Sequence, residues 1–245
     1  MSDYYVGSVA REGVWLAVAY TEERYDHTAV VEGVGELWTR YEDSAARIAV
    51  DVPIGLESAA APRPNERAAG RVLGSRADAI VPAPVREATR KQRYRTAARV
   101  HERKTDAELS RSAFERARLV NAVDDFLTTI DEARPVFVET HPELCYRAFA
   151  GESMAESPEI AAGYAERMRT LAEFDRDGPP TVQSVAEATA GQRVPIPAVL
   201  DAVALAVTVR PGPGELRTLP PDPPTDAEGL PMRYAYRSET ELPSE

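Results

Sequence analysis

Cysteine, lysine and histidine are almost missing from this chain of 245 residues. Cys145 is its single cysteine, so it builds neither an internal disulfide nor a cysteine-rich zinc site. Lys91 and Lys104 are the only lysines beside 27 arginines, a bias that fits GC-rich codons. With only His27, His101 and His141 present, no metal-binding histidine pair is evident. Apolar runs fall far short of the ~20 residues of a membrane helix, so no membrane partner is expected. The opening MSDYYVGSVAREG has neither a basic n-region nor an apolar h-region, which predicts no signal peptide and a soluble, cytoplasmic protein. A Gly-rich phosphate loop of Walker or dinucleotide type and a Gly-x-Ser-x-Gly elbow are also lacking.

What is present is globular: 43% hydrophobic and 28% charged residues, enough for one domain with a sizeable core. The net charge is -11, from 40 acidic and 29 basic residues. An acidic surface of this kind fits work at high salt. The charge is uneven, because residues 63–118 hold fifteen basic and seven acidic side chains, a local +8. Such a block is the footprint of a polyanion-binding face. It equally fits a helical pair whose arginines bridge to the acidic body.

Apolar patterning predicts strands over 3–10 and 13–20, joined by a turn at Arg11-Glu12, with further strands over 27–32, 47–51 and 134–139. Helices are expected over 34–44, 65–75, 86–103, 106–130, 141–150, 158–173 and 196–210. Seven prolines between Pro211 and Pro231 predict an extended loop, and 232–237 could add an edge strand. The order predicts a single α/β domain over 1–245. Its mixed sheet is flanked by helices, with a helical insertion at about 63–130.

Three carboxylates stand in costly places. Asp51 ends an apolar strand, where ligands of open α/β sheets gather, although an Asp there also caps the following turn. Glu139 ends a second strand just before a helix. Asp201 is the only polar side chain in Ile196–Val207, a helix apolar on all faces and therefore buried. An ionised carboxylate there needs a partner, and a metal ion or an arginine would serve. His141 is either a solvated first-turn residue or a member of the site. Thr140-x-x-Glu143 reads as a capping box. Asp51, Glu139 and Asp201 together would suit Mg²⁺ or Mn²⁺, with phosphodiester hydrolysis as the matching chemistry. The basic block would contact the phosphates of a nucleic acid, with Arg71, Arg76 and Arg111 the leading contacts.

The segments Gly7 to Trp15, Ile48-Ala-Val-Asp51-Val-Pro-Ile-Gly55-Leu56, Arg71-Val-Leu-Gly74 and Leu109-Ser110-Arg111 form a recognisable series. It continues with Val138-Glu139-Thr-His141-Pro142-Glu143-Leu144, Gly163 with Arg167 and Leu171, and Leu200-Asp201-Ala202. This series resembles the DUF429 family of predicted nucleases over roughly residues 6–236. The resemblance implies an RNase H-like fold with carboxylates on divalent metal, mapped onto Asp51, Glu139 and Asp201; His141, beside them in the sequence series, is a further catalytic candidate. Where the family carries an Asp in its first strand, this chain has Val9, or Ser8 if the alignment slips by one. Asn65 stands where an Asp is usual, and the lysine common ahead of Gly163 is absent, with Pro158 and Glu159 nearby. These departures imply either a weakened nuclease or an inactive RNase H-like protein that binds nucleic acid or a protein partner.

Overall fold

The computed structural model describes residues 3–11 and 13–243. Its sheet starts with an antiparallel meander, β1 (Tyr4–Arg11), β2 (Val14–Tyr20) and β3 (Tyr25–Val31). β4 (Ala45–Val50) and β5 (Phe137–Glu139) then add in parallel, giving the order β3-β2-β1-β4-β5. A mixed five-stranded sheet with helices on both faces is consistent with an RNase H-like α/β fold. The first pair closes later than the sequence predicts: Arg11 is a strand residue, and Glu12 lies outside the described residues.

Alternation along the strands splits the core. Val6, Ile48, Val50 and Phe137 face α1 (Val34–Tyr41) and α5 (Arg111–Thr129). Val9, Leu16, Val18 and Ala49 face α9 (Ile196–Val209), the apolar helix that carries Asp201. α9 lies so close to β1 that a Cβ on Gly7 would sit 2.2 Å from Ala202 O and Ala206 N. Only glycine admits that approach. Gly7→Ala is expected to cost at least about 3 kcal/mol by overpacking against rigid backbone. Chemical denaturation checks this, and a loss below about 1 kcal/mol would mean that the helix shifts freely.

Between β4 and β5 run α2 (Pro64–Leu73), the short α3 (Arg86–Thr89), α4 (Tyr94–Thr105) and α5. The helix expected over 86–103 is thus two, broken after Thr89. α4 ends on Asp106 in the left-handed region (φ 54°), and Ser110 caps α5 by accepting from Ala113 N at 3.1 Å, so the helix expected from 106 starts at Arg111. After β5 come α6 (Pro142–Ala150), α7 (Ala161–Phe174) and an unexpected α8 (Gly178–Ala188). Its Pro179-Pro180 pair occupies the first turn, where N–H groups need no helical partner.

The proline-rich stretch contains β6 (Glu215–Leu219), read from sequence as loop, which pairs with β7 (Tyr234–Ser238) in a separate two-stranded sheet. Residues 232–237 therefore add no edge to the main sheet, and β7 is buried throughout. The connection is tied down by Asp226, which accepts from Leu56 N at 2.8 Å and from Arg86. No helix among the described residues is long and apolar enough to cross a membrane.

Candidate functional site

The carboxyl ends of β1 and β4 open into a cleft of about 870 Å³. Asp51 follows β4 in phase with Ala49, so its side chain turns towards α9, and Asp201 descends from that helix to meet it. Arg11, in phase with Gly7 and Val9 on β1, lies between the two. Its Nη1 is 2.5 Å from Asp51 Oδ2 and its Nη2 is 3.0 Å from Asp201 Oδ2. Asp51 also accepts from Ala10 N at 3.5 Å, and Arg116 donates to the Asp51 carbonyl at 2.8 Å.

One guanidinium serves two carboxylates unequally. Burial works to raise Asp51, but Arg11, Arg116 and His141 together hold it below its ordinary value. Burial prevails at Asp201, with Asp51 adding to it, and pushes that carboxyl up to about 7 against the pull of Arg11. His141 is lowered to about 4, first by burial and then by Arg116, so the imidazole is neutral at pH 7. It caps α6, its Nδ1 accepting from Glu143 N at 3.3 Å. The capping box expected from Thr140 and Glu143 does not form. Thr140 donates instead to Ala235 O, and Glu143 pairs with the fully buried Arg167 and, at 3.4 Å, with Arg76.

Glu139 does not join Asp51 and Asp201. It stands opposite Val50 in the parallel register, and paired residues of neighbouring strands point to the same face. Val50 faces the α5 side, so Glu139 does too, while Asp51, one residue later, faces α9. There Arg63 grips Glu139 with Nη2 to Oε1 at 2.6 Å and Nη1 to Oε2 at 2.9 Å, and Ile54 N donates to Oε2 at 2.8 Å. Arg63 also binds Glu66 at 2.8 Å and the carbonyls of Ile54 and Gly55. This cluster is buried and structural.

The donor set does not fit a divalent ion. Among the described residues no group of three or more His, Cys, Asp or Glu side chains could hold a metal. Asp51 and Asp201 are spanned by a cation of the protein's own, Glu139 is committed to Arg63, and Val9 is a fully buried apolar residue where a first-strand carboxylate would stand. Of the expected phosphate contacts, Arg76 lines the cleft, whereas Arg71 and Arg111 do not. Arg111 lies 3.8 Å over the Tyr94 ring.

Sequence reading missed Arg11, Arg63 and Arg116. Arg63-x-x-Glu66 carried a local signal, a pair at i,i+3 beside a helix start. For Arg11 the signal was its phase with Val9. Arg116 had none, because its contact with Asp51 bridges 65 residues of chain.

A mixed sheet whose central parallel strand ends in a buried carboxylate, Asp51, with the helix-borne Asp201 joined to it through Arg11, defines an α/β protein consistent with the RNase H-like class. The chain belongs to the DUF429 family, whose model, described as a protein of unknown function, matches residues 3–225. Searches of curated proteins and of solved structures return no match.

Proposed function

We propose that the protein is a non-hydrolytic binding protein on an RNase H-like scaffold, its carboxylate cleft closed by an arginine instead of a metal. The observation that carries this reading is Arg11, which reaches Asp51 and Asp201 at once. Two-metal phosphodiester cleavage needs carboxylates free to share the ions. Here Arg11, with Arg116 at 3.8 Å from Asp51, already balances the charge of the pair from within, and both carboxylates are nearly buried. A rival reading, a Mg²⁺- or Mn²⁺-dependent nuclease, rests on Asp51 and Asp201 meeting in one open cleft.

A single experiment separates the two. Purified protein is incubated with labelled single- and double-stranded DNA and RNA in Mg²⁺ or Mn²⁺, and its melting temperature is followed through a metal titration. The binding-protein reading expects no cleavage above that of a matched Asp51→Asn variant, and no metal-dependent rise in melting temperature. Cleavage that is lost in Asp51→Asn would overturn it in favour of the nuclease.

A further inference from the structure

Part of the basic block pairs with carboxylates, while Arg67 donates to the Pro62 carbonyl, Arg111 lies over the Tyr94 ring and Arg118 lines the cleft. Arg63 and Arg86 are buried in ion pairs with Glu139 and Glu66, and with Asp124 and Asp226. Arg90 pairs with Asp124 and Asp125, Lys91 and Lys104 with Glu87, Arg76 with Glu143, and Arg116 with Asp51. These residues bridge to the acidic body. Arg93, Arg95, Arg99 and Arg103 do not. All four are exposed, and among the described residues none has an ion-pair partner. Arg93 caps α4, and Arg95, Arg99 and Arg103 follow at steps of four residues along its outer face.

The cleft is a poor host for a polyanion by comparison. Its four arginines are outnumbered by six carboxylates, including Glu32, Glu115 and Glu159, and three of the four already serve a carboxylate.

We propose that the outer face of α4 is a docking surface for the phosphodiester backbone of a nucleic acid, with Arg95, Arg99 and Arg103 as its phosphate contacts. The inference rests on the binding-protein reading and supplies its partner. Four residues of helix rise about 6 Å, so the three guanidiniums span about 12 Å. One strand of a duplex presents a phosphate about every 3.4 Å along the axis, so the row faces three or four phosphates. Guanidinium suits this role because its planar fork meets two phosphate oxygens at once. Glu102 also lies exposed on α4, and Asp106 and Glu108 follow it. They limit the row at its carboxyl end, so a strand running along the helix is held over these three arginines and not beyond them. The inner face, Ala97, Ala98 and Val100, packs with Val85, Leu109 and Ala113. The arginines therefore contribute nothing to the helix's own burial.

The test measures binding of short DNA duplexes, single-stranded DNA and RNA of matched length by fluorescence anisotropy across a salt series. The full chain is compared with the triple variant Arg95→Gln, Arg99→Gln, Arg103→Gln and with the cleft variant Arg118→Gln, an exposed arginine of the cleft that pairs with no carboxylate among the described residues. Glutamine keeps helix propensity, and unchanged circular dichroism and melting temperature verify the fold. The expected result is salt-dependent binding by the wild type, with the triple variant's log–log salt slope on duplex shallower by about 2.7 and the cleft variant unchanged. Three lost contacts then account for about a 40-fold change in affinity between 50 and 200 mM salt. Equal affinity and slope in wild type and triple variant would overturn the surface and leave the binding-protein reading standing. Retention on polyglutamate with none on nucleic acid would overturn it in favour of an acidic protein. No binding to either at low salt would also overturn it. Metal-dependent cleavage instead sinks the binding-protein reading, whichever variant binds.

Discussion

Arg11→Ala is expected to destabilise the protein by about 2–3 kcal/mol at pH 8 and by less at pH 5. Removing one member of a buried ion cluster leaves the others charged and desolvated. The cost falls at the lower end for such pairs because the Arg11 side chain is 32% exposed, so water reaches the site when it leaves. The pH dependence follows from the direction of the shifts. Without Arg11 both carboxyls titrate higher in the folded protein than in the unfolded chain. A raised carboxyl favours the folded state at low pH, and that support is lost as pH rises through the folded value. Asp201 already stands at about 7 with Arg11 present, so its share of the deficit opens above about pH 7, and only the share of Asp51, which Arg11 helps hold below its ordinary value, opens at lower pH. Urea unfolding at the two pH values measures it, and a pH-independent loss would show that Arg11 acts by packing alone.

The same variant exposes what the arginine excludes. Mn²⁺ is expected to raise the melting temperature of Arg11→Ala but not of the wild type, because a metal can then take the vacated charge. Adding Val9→Asp strengthens that response, since Val9 lies in phase with Arg11 on the face that carries Asp51 and Asp201. Ser8→Asp does not, because Ser8 is out of that phase, its hydroxyl donating to Leu16 O at 3.0 Å. A Mn²⁺ response in the wild type equal to that of Arg11→Ala would defeat the account.

Arg63→Met is expected to cost about 4 kcal/mol, the larger of the two losses. Arg63 and Glu139 are both almost wholly buried, so no solvent compensates Glu139 and Glu66 once the guanidinium is gone. Burial already raises Glu139 to about 7, and losing Arg63 removes the main force holding it down. Combining Arg63→Met with Glu139→Gln should therefore recover part of the loss, since a neutral amide replaces the stranded charge. Denaturant midpoints for the two singles and the double give the coupling directly. Strictly additive losses would mean the two side chains do not interact.

These two arginines mark where sequence reading stops. The order of strands, the central strand ending at Asp51 and the apolar helix around Asp201 were legible, because periodicity and one misplaced carboxylate are local signals. That Asp201 needs either a metal or an arginine was legible too. Which of them it has was not, because Arg11 and Asp201 are separated by 190 positions of chain. Glu139 was grouped with Asp51 and Asp201 because each ends or interrupts an apolar run. The parallel register between β4 and β5 sends it to the opposite face, and register between distant strands is a tertiary property. β6 was hidden by the prolines of 211–231, which read as an extended loop but lie on either side of the strand.

The close seating of α9 on Gly7 also sets a timescale. From Ala198 to Val209 every residue of that helix is buried, so its amides can exchange with solvent only when the whole domain opens, whereas exposed helices such as α4 open locally at much lower free energy. Asp201 thus rides on the slowest-exchanging part of the molecule. Whatever enters the cleft meets one wall that does not yield during a binding event, and adjustment there falls to the side chains of Arg11, Arg76 and Arg116.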